Sequence, residues 1–226
     1  MHFTEKEIVD NHASLTERSG YYRTFGYDVN QSVAFVLSKA QPLAGRVLEV
    51  GTGKGRFLAE LSKSVPNVTT IDLDPAEQRF ARLNVAYEAS AGQVEFVVGD
   101  GAKLPWEAGS FDAVVSMNAL HHIRDLPGVV NEALRVVRPE GKIVLADFNE
   151  EGFGIMEKLH IAEGRVHEHV NYNFHDIVGW FAAVGWNAVL CAGDCQDVLV
   201  AFKSRREKMK KNKRGIILEI KKGQAI

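Results

Sequence analysis

Between residues 46 and 148 five short apolar runs alternate with stretches of helical periodicity, and this alternation restricts the chain to an α/β fold on a parallel sheet. The runs are Arg46–Gly51, Val68–Leu73, Val94–Gly99, Phe111–Met117 and Gly141–Phe148. Their continuous apolar character suits strands covered on both faces. Helices are expected over Gly55–Val65, Pro75–Ser90 and Leu126–Val137, with Leu58, Leu61 and Val65 on one face of the first. Two further strands, Trp186–Ala192 and Asp197–Lys203, are separated only by Gly193–Gln196. That gap is of hairpin length, so the last strand is expected to run antiparallel to its neighbour. The expected fold class is α/β, a doubly wound seven-stranded, mostly parallel sheet with a C-terminal antiparallel hairpin.

Residues 1–45 read as a helical cap ahead of this domain, which spans 46–203. Thr4 with Glu7 forms a capping-box pattern, and Asn30 is the expected N-cap of a second helix through Val33, Val36 and Leu37. Tyr21, Tyr22, Phe25 and Tyr27 crowd the join, either as packing for the sheet or as a lid over a ligand. Two cysteines, Cys191 and Cys195, cannot build a disulfide framework. The start, MHFTEKEIVD, lacks a signal peptide's apolar core, and no apolar run reaches about 18 residues. A cytoplasmic protein without a transmembrane segment is expected. Charge is uneven: the net charge of -2 combines +8 on residues 203–226 with -10 on the rest. The basic tail, 204–226, admits a nucleic-acid or anionic-membrane contact, with a solvated extension as the favoured reading.

The first strand ends in Glu49-Val-Gly51-Thr-Gly53-Lys-Gly55 and enters a helix. Glycines there give a ligand close access to the backbone, and the free amides of the first helical turn favour an anionic group. A phosphate or an amino-acid carboxylate would fit equally. Spacing narrows the choice. A dinucleotide fingerprint needs glycines at the first, third and sixth positions, but counting from Gly51 the sixth is Arg56; the GxxxxGK[ST] phosphate loop is absent too.

The segment from Val47 to Gly55 resembles motif I of the class I S-adenosylmethionine (SAM) methyltransferases. IDLDP at 71–75, VVGDGAKLPWEAGSFDAVVSMNALHHI at 97–123 and LRVVRPEGKIVLADF at 134–148 resemble the same family in the same order. The likeness covers about residues 44–148 and is nearest to the small-molecule branch of ubiquinone and menaquinone biosynthesis. It implies SAM as cofactor, methyl transfer as the reaction and a small-molecule acceptor as partner. An RNA or protein methyltransferase using the basic tail is the rival, disfavoured because SMNAL stands where a tetrapeptide such as NPPY would follow the fourth strand. A binding protein without turnover is a further alternative.

The cofactor positions implied by the resemblance are Glu49, Gly51, Thr52, Gly53, Gly55, Asp72, Leu73, Asp100, Gly101, Ala102 and Asn118. Asp72 is assigned to the ribose hydroxyls, whereas Asp74, followed by Pro75 and Glu77, reads as a helix N-cap. Asp100 is assigned to the adenine amino group, with Gly101 and Ala102 beside it, and Asn118 to the methionine portion. Glu49, a charge in a buried strand, needs a partner, either the cofactor's ammonium or the loop amides. Where the family commonly writes RPGG before the fifth strand, Arg138-Pro139-Glu140-Gly141 predicts a type I turn.

The sulfonium is an activated donor, so a base is needed only for an acceptor that must lose a proton. His121 is the candidate catalytic base. Residues 149–175 are the expected acceptor region; a helix from Ile155 would align Glu157, His160, Gly164 and His167, whereas an extended HEH stretch would align His167 and His169. No metal is expected: HExxH is absent, and Cys191 and Cys195 form a lone CxxxC. A site built from these histidines and cysteines is the rival reading.

Overall fold

The apolar runs pair into one sheet. The computed structural model describes residues 2–88, 93–166, 169–170 and 172–203. Its strands are β1 (Arg46–Val50), β2 (Asn67–Asp72), β3 (Gln93–Val98), β4 (Phe111–Met117), β5 (Val137–Phe148), β6 (Asn187–Ala192) and β7 (Gln196–Phe202). Their order is β3-β2-β1-β4-β5-β7-β6. The first five are parallel, and β7 runs antiparallel between β5 and β6. The terminal hairpin therefore forms as expected, with its second strand inserted against β5.

Alternation along the strands sends side chains to two cores. Val47, Val68, Val115, Val144 and Val198 meet Val33 and Val36 of α2 (Val29–Ala40), Leu58 and Leu61 of α3 (Arg56–Ser64), and Met156 and Leu159 of α6 (Glu150–Ala162). On the opposite face Leu48, Ile71, Val114, Ile143 and Leu199 meet Val129, Val130 and Ala133 of α5 (Leu126–Val136) and Ile177 and Phe181 of α7 (Phe174–Ala183). Helix α4 (Pro75–Tyr87) adds Ala81 to the first core. Helix α1 (Glu5–Thr24) differs: it buries no residue and lies outside α4, held by a stacked His12–Tyr87 pair and an Arg79–Glu7 ion pair at 2.7 Å.

Local signals set most helix ends. The Thr4–Glu7 capping box is present, and Asp74 accepts from the amides of Ala76 and Glu77 with Pro75 in the first turn. Three expectations need correction. The N-cap of α2 is Asp28, whose carboxylate accepts from the amides of Asn30 and Gln31; Asn30 lies inside the helix. Helix α6 starts at Glu150 behind an Asn149 cap and ends at Ala162, so Glu157 and His160 share it but Gly164, at φ +65°, does not. Arg138–Gly141 forms no free turn: it lies within β5, looped out where the pairing jumps from Phe111–Val137 to Ala113–Lys142. His167 and the tail 204–226 lie outside the described residues. Among the described residues no helix is long and apolar enough to cross a membrane.

Candidate functional site

Strand order reverses between β1 and β4, and the loops at the carboxyl ends of β1 to β4 enclose a cleft of about 860 Å³. Of the sequence-predicted positions, Gly51, Gly53, Asp72, Leu73, Asp100, Gly101, Ala102 and Asn118 line it. Glu49, Thr52, Gly55 and His121 line a smaller cavity of about 320 Å³ against the glycine loop. Gly51, Gly53 and Asn118 border both spaces.

The loop needs its glycines. Gly51 has φ +89°, and a Cβ there would stand 2.4 Å from the Cβ of Ala119. Gly55 has φ +74°, and its Cβ would stand 2.7 Å from the Cα of Ala81. Asp72 then ties the loop to β2: Oδ2 accepts from the Gly53 amide at 2.8 Å and Oδ1 from the Asp74 amide at 2.9 Å. Asp100 closes a turn by accepting from the Ala102 amide at 2.9 Å. Leu73 projects into the cleft with 71% of its surface exposed.

Glu49 has a different partner from those expected. Its carboxyl accepts from the Thr70 hydroxyl, which lies 2.6 Å from the Thr52 hydroxyl. It is 1% exposed, and burial pushes its pKa up to about 8, against the opposing effect of the Thr70 bond. Asn118 adopts φ +53°, which a non-glycine residue keeps only when held. Its Nδ2 donates to the Tyr27 hydroxyl at 3.1 Å, and its Oδ1 accepts from Gln196 Nε2. Tyr27 is thereby both buried packing and a clamp on the site; burial pushes its phenol up to about 12.

His121 lies beside a carboxylate that the sequence reading passed over. Asp147, fully buried at the end of β5, accepts from His121 Nδ1 at 2.7 Å, from the His121 amide at 3.0 Å and from the Phe148 amide at 2.8 Å. The findable signal was the one that drew notice to Glu49, an acid inside an apolar strand. His121 also packs edge-on against Phe153, which stacks on His169 at 5.3 Å. Burial, and then the neighbouring His121, pull the His122 pKa down. Past Phe153 opens a third cavity of about 760 Å³ between α6 and the following segment, bordered by His160, His169 and Tyr172. Cys191 and Cys195 are free thiols, and no three potential ligands group to hold a metal among the described residues.

Residues 48–145 match a family described as a methyltransferase domain. A demethylmenaquinone methyltransferase of Roseiflexus castenholzii is 33% identical over 121 residues, 53% of this chain and 50% of that one. A ubiquinone biosynthesis O-methyltransferase of Xanthomonas axonopodis is 34% identical over 116 residues, 51% of this chain and 48% of that one. The chain thus spans about half the length of these curated relatives. A Thermotoga maritima structure described as a SAM-dependent methyltransferase, possible histamine N-methyltransferase, superposes with a TM-score of 0.63 at 18% identity, over 87% of this chain and 99% of that one. At that identity the likeness speaks for the fold alone.

Proposed function

We propose, from the premise that residues 48–145 are a class I SAM-dependent methyltransferase domain, that this protein transfers a methyl group from SAM to a small-molecule acceptor. One observation carries the reading. Carboxylates at the ends of β2 and β3, a glycine loop from β1 and a strained asparagine after β4 converge on one cleft at the topological switch point.

In this reading Asp72 accepts from the ribose hydroxyls and Asp100 from the adenine amino group, beside the backbone of Gly101 and Ala102. Leu73 packs on the nucleoside, and Glu49 receives the ammonium. Asn118 contributes its positive-φ backbone to the methionine end, because Tyr27 and Gln196 already engage both ends of its amide. When bound, SAM supplies an electrophilic methyl on a positively charged sulfur. The chain's task is chiefly orientation, which can contribute about 7–11 kcal/mol. Residues 1–45 act as a helical cap, and 149–175 receive the acceptor through the cavity beside Phe153. His121 takes the acceptor's proton at Nε2, since its Nδ1 is engaged by the Asp147 carboxylate.

Purified protein with SAM and a metabolite extract should produce S-adenosylhomocysteine together with a product heavier by one methylene. Asp72→Ala should weaken S-adenosylhomocysteine binding about thirtyfold, roughly 2 kcal/mol. Unchanged calorimetric affinity in that variant would remove the ribose assignment.

A further inference from the structure

Helix α6 borders two of the spaces described above. Met156 lines the cavity against the glycine loop, and Glu157 lines the cavity past Phe153. His160 lies one turn on from both, on the same face, and lines both cavities. Among the described residues it is the only one common to the two walls. His121 does not share this place: it borders the first cavity and stands edge-on against Phe153, whose ring lines the second. Whatever crosses from one cavity to the other at this junction crosses beside His160.

The surroundings of His160 suit a positively charged neighbour. Burial, and then the nearby Arg165, pull its pKa down, so the half-buried imidazole is uncharged at neutral pH. Arg18 and Arg165 both meet the Glu163 carboxylate, which Arg18 above all holds down to about 2, so an ionised carboxylate offsets part of their charge. The wall on the glycine-loop side is rich in rings and apolar groups, with Tyr22, Tyr27, Phe148 and Met156. A ligand cation packs favourably on ring faces, whereas a charged imidazolium at the junction would repel it.

We infer that His160 stands against the sulfonium of the methyl donor, at the passage through which the methyl leaves the donor cavity for the acceptor. The inference rests on the methyl-transfer reading above and adds the place on the wall where transfer occurs. A lone pair on the acceptor forms the new bond to the methyl carbon, the bond from that carbon to sulfur breaks, and its electrons leave the sulfur neutral. Any proton the acceptor loses passes to His121, as assigned above. His160 carries neither the methyl nor the proton; it is a positioning residue that keeps the opening polar and free of positive charge.

The test compares SAM with S-adenosylhomocysteine by calorimetry, because the two differ by the methyl and the charge on sulfur. His160→Lys should lower the ratio of SAM to S-adenosylhomocysteine affinity about tenfold, and His160→Glu should raise it about threefold or more. The uncharged His160→Gln should hold the ratio within about twofold. A change of packing alone would move both ligands together. A second measurement needs no charged variant at this half-buried place. The imidazole proton signal of His160, identified by its loss in His160→Gln, should titrate at a lower pH in the SAM complex than in the S-adenosylhomocysteine complex. A ratio within about twofold of wild type in both charged variants, or the same titration in the two complexes, overturns the inference while the methyl-transfer reading stands. A wild type that binds neither ligand overturns that reading, and the inference with it.

Discussion

At the scale of single residues, the sheet holds two buried carboxyls with contrasting hydrogen-bond partners. Asp147 accepts three hydrogen bonds, two from backbone amides and one from an imidazole. Glu49 has one hydroxyl donor, and burial raises it to about 8, so it is protonated in the ligand-free protein at neutral pH. Binding an ammonium there requires the ionised form and so releases a proton. The sign follows: S-adenosylhomocysteine affinity should rise with pH from about 6, by up to about tenfold per unit, and level off near 8. Calorimetry on Glu49→Gln should give a flat profile over that range, and a retained slope would assign the proton to another group. Asp147→Asn tests the second carboxyl. An amide there can donate as well as accept, which frees His121 to carry its proton on either nitrogen, so turnover should drop about a hundredfold with S-adenosylhomocysteine affinity unchanged. Equal losses in binding and turnover would instead make Asp147 a structural anchor.

Single elements differ in what holds them. Helix α3 sits close on α4 because Gly55 leaves room for the Ala81 backbone, so Gly55→Ala meets both a positive φ and a clash. The strain alone is worth about 1–3 kcal/mol, and a denaturant midpoint consistent with a smaller loss would mean that the loop can move aside. Helix α1 buries no residue, and its ion pairs run from Glu7 to Arg79 of α4 and from Arg18 to Glu163 just past α6. Such pairs weaken when screened. Amide exchange in α1 should therefore be faster than in β1 or β4 and should accelerate further in about 0.5 M salt. Salt-independent protection would show that packing, and not charge, seats the helix. Legibility followed the same division. The Thr4 and Asp74 caps were readable because a cap is a local bond, whereas at α2 the cap is Asp28, two residues before Asn30, because its carboxylate reaches the amides of Asn30 and Gln31 and starts the helix earlier. Arg138–Gly141 read as a turn because nothing local reveals that β5 pairs with β4 on both sides of the excursion.

For the whole molecule, the central parallel strands β1 and β4 were plain in the sequence because burial on both faces leaves near-continuous apolar runs, whereas the edge strand β3 is only half-buried. The cleft was plain because residues that line it follow the ends of those strands. What stayed hidden was non-local. Asp147 and His121 stand 26 residues apart, one at the end of β5 and the other in the turn after β4, and neither segment announces the other. Insertion of β7 between β5 and β6 is hidden in the same way, since a hairpin's own residues do not say which of its strands will meet the sheet. That placement has an energetic consequence. Leu199 of β7 pairs with Leu145 and Leu190 and is wholly buried against the α5–α7 face, whereas Val189 on the outer strand β6 is 50% exposed. Leu199→Ala should cost about 2–5 kcal/mol of global stability, and Val189→Ala less than about 1 kcal/mol. Chemical denaturation of both variants measures the contrast. If the final strand were an appendage to a finished five-stranded core, Leu199→Ala would shift the midpoint no further than Val189→Ala. Because β7 also supplies Gln196 to Asn118, a deeper loss from Leu199→Ala should loosen the Asn118 side of the cleft only when the whole sheet unfolds, leaving affinity per folded molecule unchanged.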